Sequence, residues 1–489
     1  MDGPTHSDPS STPGPDALRP PADLPTTLGE LRASGWLSIS VSEEMRKNTC
    51  ARIAADEPLV PGVLGFEDTV VPQLENAILA GHDIILLGER GQAKTRVIRA
   101  LVGLLDEWLP IVAGSEIHDD PYAPVSRLAI NLVAEQGEDT PITWVHRSQR
   151  YGEKLATPDT SIADLIGEVD PIKIAEGRYL SDELALHYGL IPRVNRGIFA
   201  INELPDLSER IQVGLLNVLE ERDVQIRGHR IRLPLDITLV ATANPEDYTN
   251  RGRIITPLKD RFGAQIRTHY PYDTMTEVKI MESEAELPTS GVTVTVPAYL
   301  KEVVAEISQL ARRSSHLNQR SGVSVRLSIA NYETLIANSV RRALRTHEPV
   351  AVPRISDLAS LLPSTQGKIE VEAMEEGHED EVVAQLVAAA VLSVFRRRVT
   401  LDDPSAIVAA FTEQVVVHAG DDMPSAAYLA VLADIPELEP PTRALAGPEA
   451  AESPALMASA LEFLLEGLHL TKRLNKDASG ARALYRGRK

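Results

Sequence analysis

The chain has 489 residues, 43% of them hydrophobic and 24% charged, which predicts two to four domains and excludes a small disulfide scaffold. Its formal net charge of -21 repels phosphate backbones and anionic lipid, so nucleic-acid binding is not expected without a local basic patch. The single cysteine, Cys50, cannot form an internal disulfide, and we find no signal-peptide pattern and no membrane-spanning apolar run, which together predict a cytoplasmic protein.

Four segments follow one another along the chain. Residues 1–28 hold seven prolines among Ser and Thr, and we expect a disordered leader there. Residues 29–273 alternate short apolar runs with helical periodicity, which is typical of an α/β core with a mainly parallel sheet. Residues 274–400 predict a helical domain, because apolar residues recur three and four positions apart. Residues 401–489 predict a helical C-terminal region with a Pro-rich linker over 435–454, a final amphipathic helix and a basic tail. We expect the tail to be solvated, with docking on an acidic partner or nucleic acid as the alternative.

The parallel sheet is predicted from apolar runs with the length and bounds of buried strands. They are IILLG ending at Gly88, TWVH around Trp144, GIFAI ending at Ile201, DITLVATAN ending at Asn244, and AQIRTHYP ending at Pro271.

The segment GERGQAKT follows the first run and leads into a helical pattern, so strand, glycine-rich loop and helix occur in the order of a P-loop. In a P-loop, backbone N–H groups enclose the β-phosphate of ATP, and here Lys94 would reach the β and γ oxygens while Thr95 binds Mg²⁺. Ala93 stands where glycine is expected, and its methyl is tolerable if its φ is negative. The alternative is an ordinary strand-to-helix turn with an incidental lysine. The predicted nucleotide-binding residues are Gly88, Glu89, Arg90, Gly91, Gln92, Ala93, Lys94 and Thr95.

A second polar position follows the run GIFAI, where Asn202 and Glu203 end an apolar strand. In P-loop NTPases this is the Walker-B site, at which a carboxylate holds Mg²⁺ and its neighbour positions or deprotonates the attacking water. Glu203 can act on the water. Asn202 carries no charge and could hold only a water of the Mg²⁺ shell, which makes the rate of hydrolysis the open question.

These motifs resemble the AAA+ ATPases, in particular the branch that contains magnesium chelatase I subunits and MoxR proteins. The resemblance covers roughly residues 64–335 and rests on LGFEDTVVPQLENAILAGHDIILLGERGQAKT, on GLIPRVNRGIFAINELPDL, and on VATANPEDY followed by ITPLKDRFG. It implies an αβα core with a helical lid, ATP and Mg²⁺ as cofactors, and a homo-oligomeric, most often hexameric, ring.

The resemblance also implies roles for two polar residues beyond the P-loop. Asn244, after DITLVATA, resembles the sensor-1 residue that holds the attacking water, although an Asn in Asn-Pro-Glu-Asp could merely cap a turn. Arg326 in GVSVRLS resembles the sensor-2 arginine of the lid, with a surface arginine at a helix start as the alternative.

Arg261 in KDRF resembles the arginine finger that reaches the γ-phosphate of a neighbouring subunit. It could instead form a structural ion pair with Asp260 or Glu203. Arg251 and Arg253 in TNRGR compete with it for the finger role.

Two excursions match the same branch. Residues 156–195 resemble its helix-2 insertion, and the alternation of Val224 and Ile226 with Ile231 and Leu233 predicts a β-hairpin that resembles the pre-sensor-1 hairpin. Two ordinary surface excursions are the alternative. The loop EIHDDP around His118 is expected to be a turn rather than a metal site.

The leading functional hypothesis is a ring-forming ATPase that remodels a partner protein, or drives metal insertion into it, with a von Willebrand A domain protein as the partner implied by the resemblance. The alternatives are a true magnesium chelatase ATPase subunit, a sigma-54-activator-like regulator, and a nucleotide-binding scaffold that hydrolyses slowly. The regulator lacks two expected features, a GAFTGA loop and a helix-turn-helix near either end. The scaffold draws its support from Asn202.

Overall fold

The computed structural model describes residues 19–169, 186–220, 223–225, 232–244, 252–288, 291–319, 322–372, 377–400, 404–411, 415–420, 422–448, 453–479 and 482–487. These residues form two compact units, divided between His269 and Tyr270. We call the part before this division unit 1 and the part after it unit 2. Across the ranges given, no helix has both the length and the apolar character needed to cross a bilayer.

Unit 1 alternates helices and strands. Its α-helices are α1 (Leu28–Ala33), α2 (Val41–Ala54), α3 (Val70–Leu79), α4 (Lys94–Ala100), α5 (Arg127–Gln136), α6 (Ile162–Leu165), α7 (Leu190–Arg193), α8 (Glu209–Glu220) and α9 (Thr256–Arg261). Its strands are β1 (Ile84–Leu87), β2 (Trp108–Val112), β3 (Ile142–His146), β4 (Tyr151–Leu155), β5 (Gly167–Val169), β6 (Leu186–Tyr188), β7 (Gly197–Asn202), β8 (Asp223–Gln225), β9 (Arg232–Pro234), β10 (Ile237–Ala243) and β11 (Ala264–Arg267).

Five strands form one parallel sheet in the order β11-β1-β10-β7-β4. The three inner strands are almost wholly buried, as expected of near-continuous apolar runs covered on both faces. The carboxyl ends of parallel strands meet at one edge, so the segments that follow β1, β7 and β10 lie together. The predicted α/β core with a parallel sheet is confirmed.

Two of the predicted strands differ from expectation. The run around Trp144 forms β3, which pairs antiparallel with β2 in a separate two-stranded sheet instead of joining the main one. Strand β4 pairs with β7 in the main sheet instead, and its residues are half-buried or, at Leu155, exposed, so no apolar run marks it in the sequence. The run AQIRTHYP is a strand only as far as Arg267, not Pro271.

The two faces of the sheet carry separate apolar clusters. One contains Ile84 and Leu86 of β1 together with Leu74 of α3. The other contains Ile85 of β1 together with Leu215 of α8. Because successive side chains of a strand point to opposite faces, β1 is anchored in both clusters, and this fixes the starting point of the loop that follows it.

The end of the predicted leader is packed. Leu28 is 1% exposed, Thr27 bridges to Pro141, and the indole Nε1 of Trp144 donates to the carbonyl of Pro25 at 2.8 Å. The leader prediction is therefore wrong for these last residues, whose few apolar and backbone groups find partners in unit 1. For residues 1–18 the prediction lies outside the described residues.

The two predicted excursions fall partly within the described residues. In the insert, β5 pairs antiparallel with β6, and residues 170–185 between them lie outside the described residues. In the hairpin, β8 pairs antiparallel with β9, and Val224 stands opposite Leu233. Residues 226–231, which include the predicted turn, also lie outside the described residues.

Unit 2 is mainly helical. Its α-helices are α10 (Thr274–Glu284), α11 (Ala298–Ala311), α12 (Arg326–Thr346), α13 (Leu362–Gln366), α14 (Glu379–Arg398), α15 (Pro404–Ala410), α16 (Ser425–Asp434), α17 (Glu439–Ala446) and α18 (Pro454–Leu470). Its strands are β12 (Thr293–Val294), β13 (Val350–Ala351), β14 (Val416–Gly420), β15 (Leu474–Ser479) and β16 (Arg482–Gly487). The predicted helical region after the sheet is confirmed, although α17 lies within the predicted Pro-rich linker.

The last helix, α18, is the centre of unit 2 and not an amphipathic surface helix. All of its residues from Ala455 to Leu468 are buried, and the ring of Phe463 stacks on Tyr299 of α11 with centroids 4.6 Å apart. The expectation of a polar face is wrong because even Glu462 is buried, where it accepts from the backbone N–H of Ser356 at 2.8 Å.

The basic tail folds as a β-hairpin. Strands β15 and β16 pair antiparallel, and β14 pairs with β16 to complete a three-stranded sheet. The hairpin is anchored to α18 because Tyr485, 2% exposed, donates to Glu466 at 2.5 Å, and Lys476 donates to the same carboxylate at 2.7 Å. The C-terminal region therefore ends in strands, where only helices were predicted. The prediction of a solvated basic tail is wrong for Tyr485, which is buried, whereas Arg482 and Arg486 are exposed.

Candidate functional site

The predicted phosphate loop lies at the carboxyl edge of the parallel sheet. Gly88 follows β1 directly, and α4 begins at Lys94, so the loop joins a buried strand to a helix as the motif requires. Its backbone turns through the left-handed region twice, at Gly91 with φ +71° and at Ala93 with φ +53°. The condition under which the Ala93 methyl would be tolerable, a negative φ, is therefore not met. An alanine in this region is strained by about 1–2 kcal/mol, because its Cβ crowds the following carbonyl.

Lys94 is directed into the loop. Its side chain is buried, and Nζ donates to the carbonyls of Gly88 and Glu89, the latter at 2.8 Å, and to Oδ1 of Asn244 at 2.7 Å. A buried ammonium is stable only when its protons are hydrogen-bonded, and these three acceptors meet that need. The cation is thus held at the mouth of the loop by groups that a phosphate oxygen could replace.

The loop is closed on its other side by two side chains. Oε1 of Gln92 accepts from the backbone N–H of Glu89 at 3.1 Å and from the hydroxyl of Thr268, which follows β11, at 2.8 Å. A Cβ at Gly88 would lie 1.9 Å from Thr268 Oγ1 and 2.2 Å from Gln92 Oε1, so a larger residue there would displace both side chains. Sequence reasoning missed Thr268, whose only signal is its place at the end of a sheet strand.

A cleft of about 390 Å³ opens beside the loop. Two of its lining residues are cationic, Lys259 of α9 and Arg267 of β11, and the others belong to the loop or its surroundings: Leu87, Gly88, Glu89, Gln92 and Thr268. Two cations next to a phosphate loop favour an anionic occupant. Sequence reasoning also missed Lys259 and Arg267.

Glu203 and Asn244 come together at the same edge. Glu203, directly after β7, has φ +55°, and its backbone N–H donates to Oγ1 of Thr242 at 3.0 Å. Nδ2 of Asn244 donates to Oε2 of Glu203 at 2.9 Å. Because Asn244 also accepts from Lys94, one amide links the loop cation to the predicted general base.

Asn202, the last residue of β7, contacts an acid that sequence reasoning missed. Its Nδ2 donates to Oε1 of Glu153 on β4 at 2.6 Å, and its Oδ1 accepts from Oγ1 of Thr242 at 3.4 Å. Glu153 Oε2 in turn accepts from Nε of Arg99 and from the hydroxyl of Tyr151, both at 2.9 Å. The hydrogen bond to Glu153 raises the pKa of Arg99, and burial, reinforced by the Glu153 carboxylate, raises the pKa of Tyr151.

The donor chemistry of this edge fits Mg²⁺. Thr95, the second residue of α4, offers a hydroxyl, Asn202 offers an amide oxygen, and Glu153 adds a carboxylate hydrogen-bonded to that amide. Mg²⁺ prefers oxygen ligands and is usually held by one or two carboxylates together with substrate phosphates and water. In the described part of the chain, no three His, Cys, Asp or Glu side chains gather as a metal cluster.

The arginines predicted from the family resemblance occupy exposed positions. Arg261 ends α9, and its guanidinium lies 3.4 Å from Asp260, one of the two ion pairs considered for it. Arg253 is also exposed, and Arg251 lies outside the described residues. Arg326 is the exposed first residue of α12 in unit 2. Their finger and sensor roles stay predictions.

The EIHDDP loop is a structural turn, as expected. The carboxylate of Asp119 is fully buried and accepts from the hydroxyls of Ser115 and Ser126 at 2.7 and 2.6 Å and from the backbone N–H of Val125 at 2.7 Å. Burial lowers the pKa of His118 to about 4, so its ring is neutral near pH 7. The ring nitrogen Nδ1 lies 3.2 Å from the carbonyl oxygen of Asn195.

Comparison with known proteins finds relatives that match this region. The family model of the Sigma-54 interaction domain matches residues 176–261. The magnesium-chelatase subunit ChlI of Nostoc sp. is 27% identical over 258 residues, which cover 51% of this chain and 63% of that protein. The magnesium-chelatase 38 kDa subunit of Cereibacter sphaeroides is 30% identical over 210 residues, 40% of this chain and 54% of that protein. The chain thus spans less than two thirds of the length of either relative.

Solved structures give weaker likenesses. The complex between the BchI and BchD subunits of magnesium chelatase contains a chain that is 21% identical, with a TM-score of 0.34, covering 66% of this chain and 99% of that one. NtrX from Brucella abortus is 14% identical, with a TM-score of 0.38, covering 71% and 66%. Both TM-scores lie below 0.5, so the sequence matches alone carry the relationship. The chain combines a phosphate loop, an Asn202–Glu203 strand end and Asn244 on one parallel sheet. By sequence it is a distant relative of the magnesium-chelatase I subunits, which are AAA+ proteins.

Proposed function

We propose that the chain is a ring-forming ATPase that couples ATP hydrolysis to the remodelling, or the metal-insertion-dependent maturation, of a partner protein. The observation that carries the proposal is the chain of hydrogen bonds from Lys94 through Asn244 to Glu203. It places a buried cation that would hold the phosphates and a carboxylate that would orient the attacking water at one edge of the sheet, and phosphoryl transfer to water uses both kinds of group.

Each of these side chains has a distinct part in the proposed reaction. Lys94 would exchange its carbonyl partners for β- and γ-phosphate oxygens, while Glu203 orients the attacking water and accepts its proton. Asn244 would hold Glu203 in place and hydrogen-bond the same water. Thr95 and Asn202 would hold Mg²⁺, which supplies charge neutralisation at the phosphate oxygens.

Assembly into a hexameric ring is part of the proposal. Charge that develops on the transferred phosphoryl group is stabilised in many P-loop enzymes by an arginine, which contributes about 10³–10⁵ in rate. Arg261 is exposed at the end of α9, and we propose that it reaches the ATP site of a neighbouring subunit. Arg326 would complete the site as sensor 2.

The partner belongs to the proposal as well. The two sequence relatives are named as subunits of magnesium chelatase. By analogy we propose a protein partner, with a von Willebrand A domain as the expected type.

Three alternative functions remain. A true magnesium chelatase ATPase subunit is the first alternative. The family match over residues 176–261 favours a sigma-54-activator-like regulator as a second candidate. The uncharged Asn202 and the strained Ala93 favour the third, a scaffold that hydrolyses slowly.

Two substitutions test the ATPase chemistry. Lys94→Ala should abolish ATP binding, because it removes the buried cation of the loop. Glu203→Gln should keep ATP binding and slow hydrolysis by about 100-fold or more. Calorimetric ATP titration and phosphate release measure the two effects separately. The matched control is Glu209→Gln, an exposed acid at the start of α8, which should change neither. Hydrolysis by the Glu203→Gln protein at the unsubstituted rate would refute the general-base role.

A further inference from the structure

The negative charge expected at the end of β7 lies on the neighbouring strand. In the β4–β7 pair, Leu155 stands opposite Asn202 and Glu153 opposite Ala200. Glu153 is therefore the diagonal neighbour of Asn202 on the same face of the sheet, within reach of a long side chain. The 2.6 Å distance between Glu153 Oε1 and Asn202 Nδ2 shows that it does reach.

The same carboxylate is linked to the helix that carries the predicted Mg²⁺ ligand. Thr95 and Arg99 are four residues apart on α4, so they share one face of the helix. Arg99 Nε lies 2.9 Å from Glu153 Oε2. Glu153 is thus bracketed by the end of β7 on one side and by the Thr95 face of α4 on the other.

Glu153 also decides which way the Asn202 amide points. Because Nδ2 donates to Glu153, Oδ1 is turned toward Thr242, whose hydroxyl also accepts from the backbone N–H of Glu203. The amide oxygen is therefore presented on the Glu203 side of the strand end. Without Glu153 nothing among these contacts would distinguish the two amide orientations.

The ion pair with Arg99 does not neutralise Glu153 permanently. The Arg99 side chain is 50% exposed and that of Glu153 22%, and a partly exposed ion pair of this kind contributes little to stability. Arg99 can leave for solvent at little cost when a stronger cation arrives. The carboxylate remains beside Asn202 through its hydrogen bond.

We propose that Glu153 is a positioning residue that supplies, from β4, the negative charge that Asn202 does not carry for Mg²⁺ at the nucleotide site. This inference rests on the proposed function. The carboxylate acts through the Asn202 amide and the water shell of the ion rather than as a demonstrated direct ligand. The amide of Asn202 on β7 and the carboxylate of Glu153 on β4 thus act together from two neighbouring strands.

The test measures how strongly Mg²⁺ favours ATP binding. In a Glu203→Gln background, which suppresses hydrolysis, the dissociation constant of ATP is measured by calorimetry in EDTA and in excess MgCl₂. The constant in EDTA divided by the constant in MgCl₂ is the ratio that is compared between variants. Glu153→Gln keeps an acceptor for Asn202 but loses the charge, and should reduce the ratio by about 10–100-fold, as removal of partners behind metal ligands typically does. Glu138→Gln, an equal charge change at an exposed acid, should leave it unchanged.

Relocating the charge separates this role from a merely structural one. Asn202→Asp alone places a second carboxylate against Glu153 and should not improve the ratio. Glu153→Gln combined with Asn202→Asp restores one carboxylate and should return the ratio to within about threefold of its original value. An unchanged ratio in Glu153→Gln, or no recovery in the double variant, would overturn the inference while leaving the proposed function intact. Failure of the unsubstituted protein to bind ATP would overturn both.

Discussion

Ala93 is the residue whose replacement the structure evaluates most directly. At φ +53° an alanine is strained by about 1–2 kcal/mol, whereas glycine adopts this conformation freely. Glycine also makes the unfolded chain more flexible, which costs about 0.4–1 kcal/mol of stability. Ala93 is exposed, so removing its methyl loses little burial. We therefore expect Ala93→Gly to stabilise the protein by about 0.5–1 kcal/mol.

Urea denaturation followed by circular dichroism measures this change, and the matched control is Ala80→Gly. Ala80 is also exposed and follows a helix, but its φ is -79°. Only the entropic cost applies there, so Ala80→Gly should destabilise by about 0.4–1 kcal/mol. Opposite signs at the two sites are the expected result. A destabilised Ala93→Gly protein would refute the assignment of strain to this position.

Two further substitutions test the packing and the assembly. Glu44 and Arg150 are both buried, and Arg150 Nη1 and Nη2 lie 2.8 and 2.5 Å from the two carboxylate oxygens of Glu44. Glu44→Gln leaves this buried guanidinium without its counter-charge and should lower the free energy of unfolding by about 3–5 kcal/mol. The control Glu138→Gln, at an exposed acid, should lower it by less than about 1 kcal/mol. Similar losses in urea denaturation would contradict this. Arg261→Ala and Lys94→Ala proteins, each inactive alone, should recover part of the ATPase rate when mixed, because the first keeps a sound P-loop and the second a sound finger. No recovery in rings shown to be mixed would exclude Arg261 as the finger.

The inner strands and the residues at their ends could be predicted from sequence for one physical reason. A strand buried on both faces must be apolar throughout, so β1, β7 and β10 are visible as runs, and the polar residues that end them are visible as interruptions. Strand β4 lies at an edge of the sheet and has no such apolar run. The presence of Glu153 at the site could therefore not be predicted from the sequence. Contacts such as Glu153–Asn202 depend on which strand is the neighbour, and that information is not local in the sequence.

The backbone at the site could not be predicted either, and it explains why the side chains meet. Two non-glycine residues at this edge, Ala93 and Glu203, have φ of +53° and +55°. Such strain persists only where the surroundings determine the conformation more strongly than the residue opposes it. At Glu203 the surroundings include Thr242, whose hydroxyl accepts the backbone N–H at 3.0 Å, and the turn directs the carboxylate to Asn244. At Ala93 the turn starts α4 with Lys94 directed back into the loop. One strained residue, Ala93, therefore comes immediately before Lys94, and the other is Glu203 itself. These are the two charged residues that Asn244 joins, and the buried sheet provides the rigidity that maintains both strained conformations.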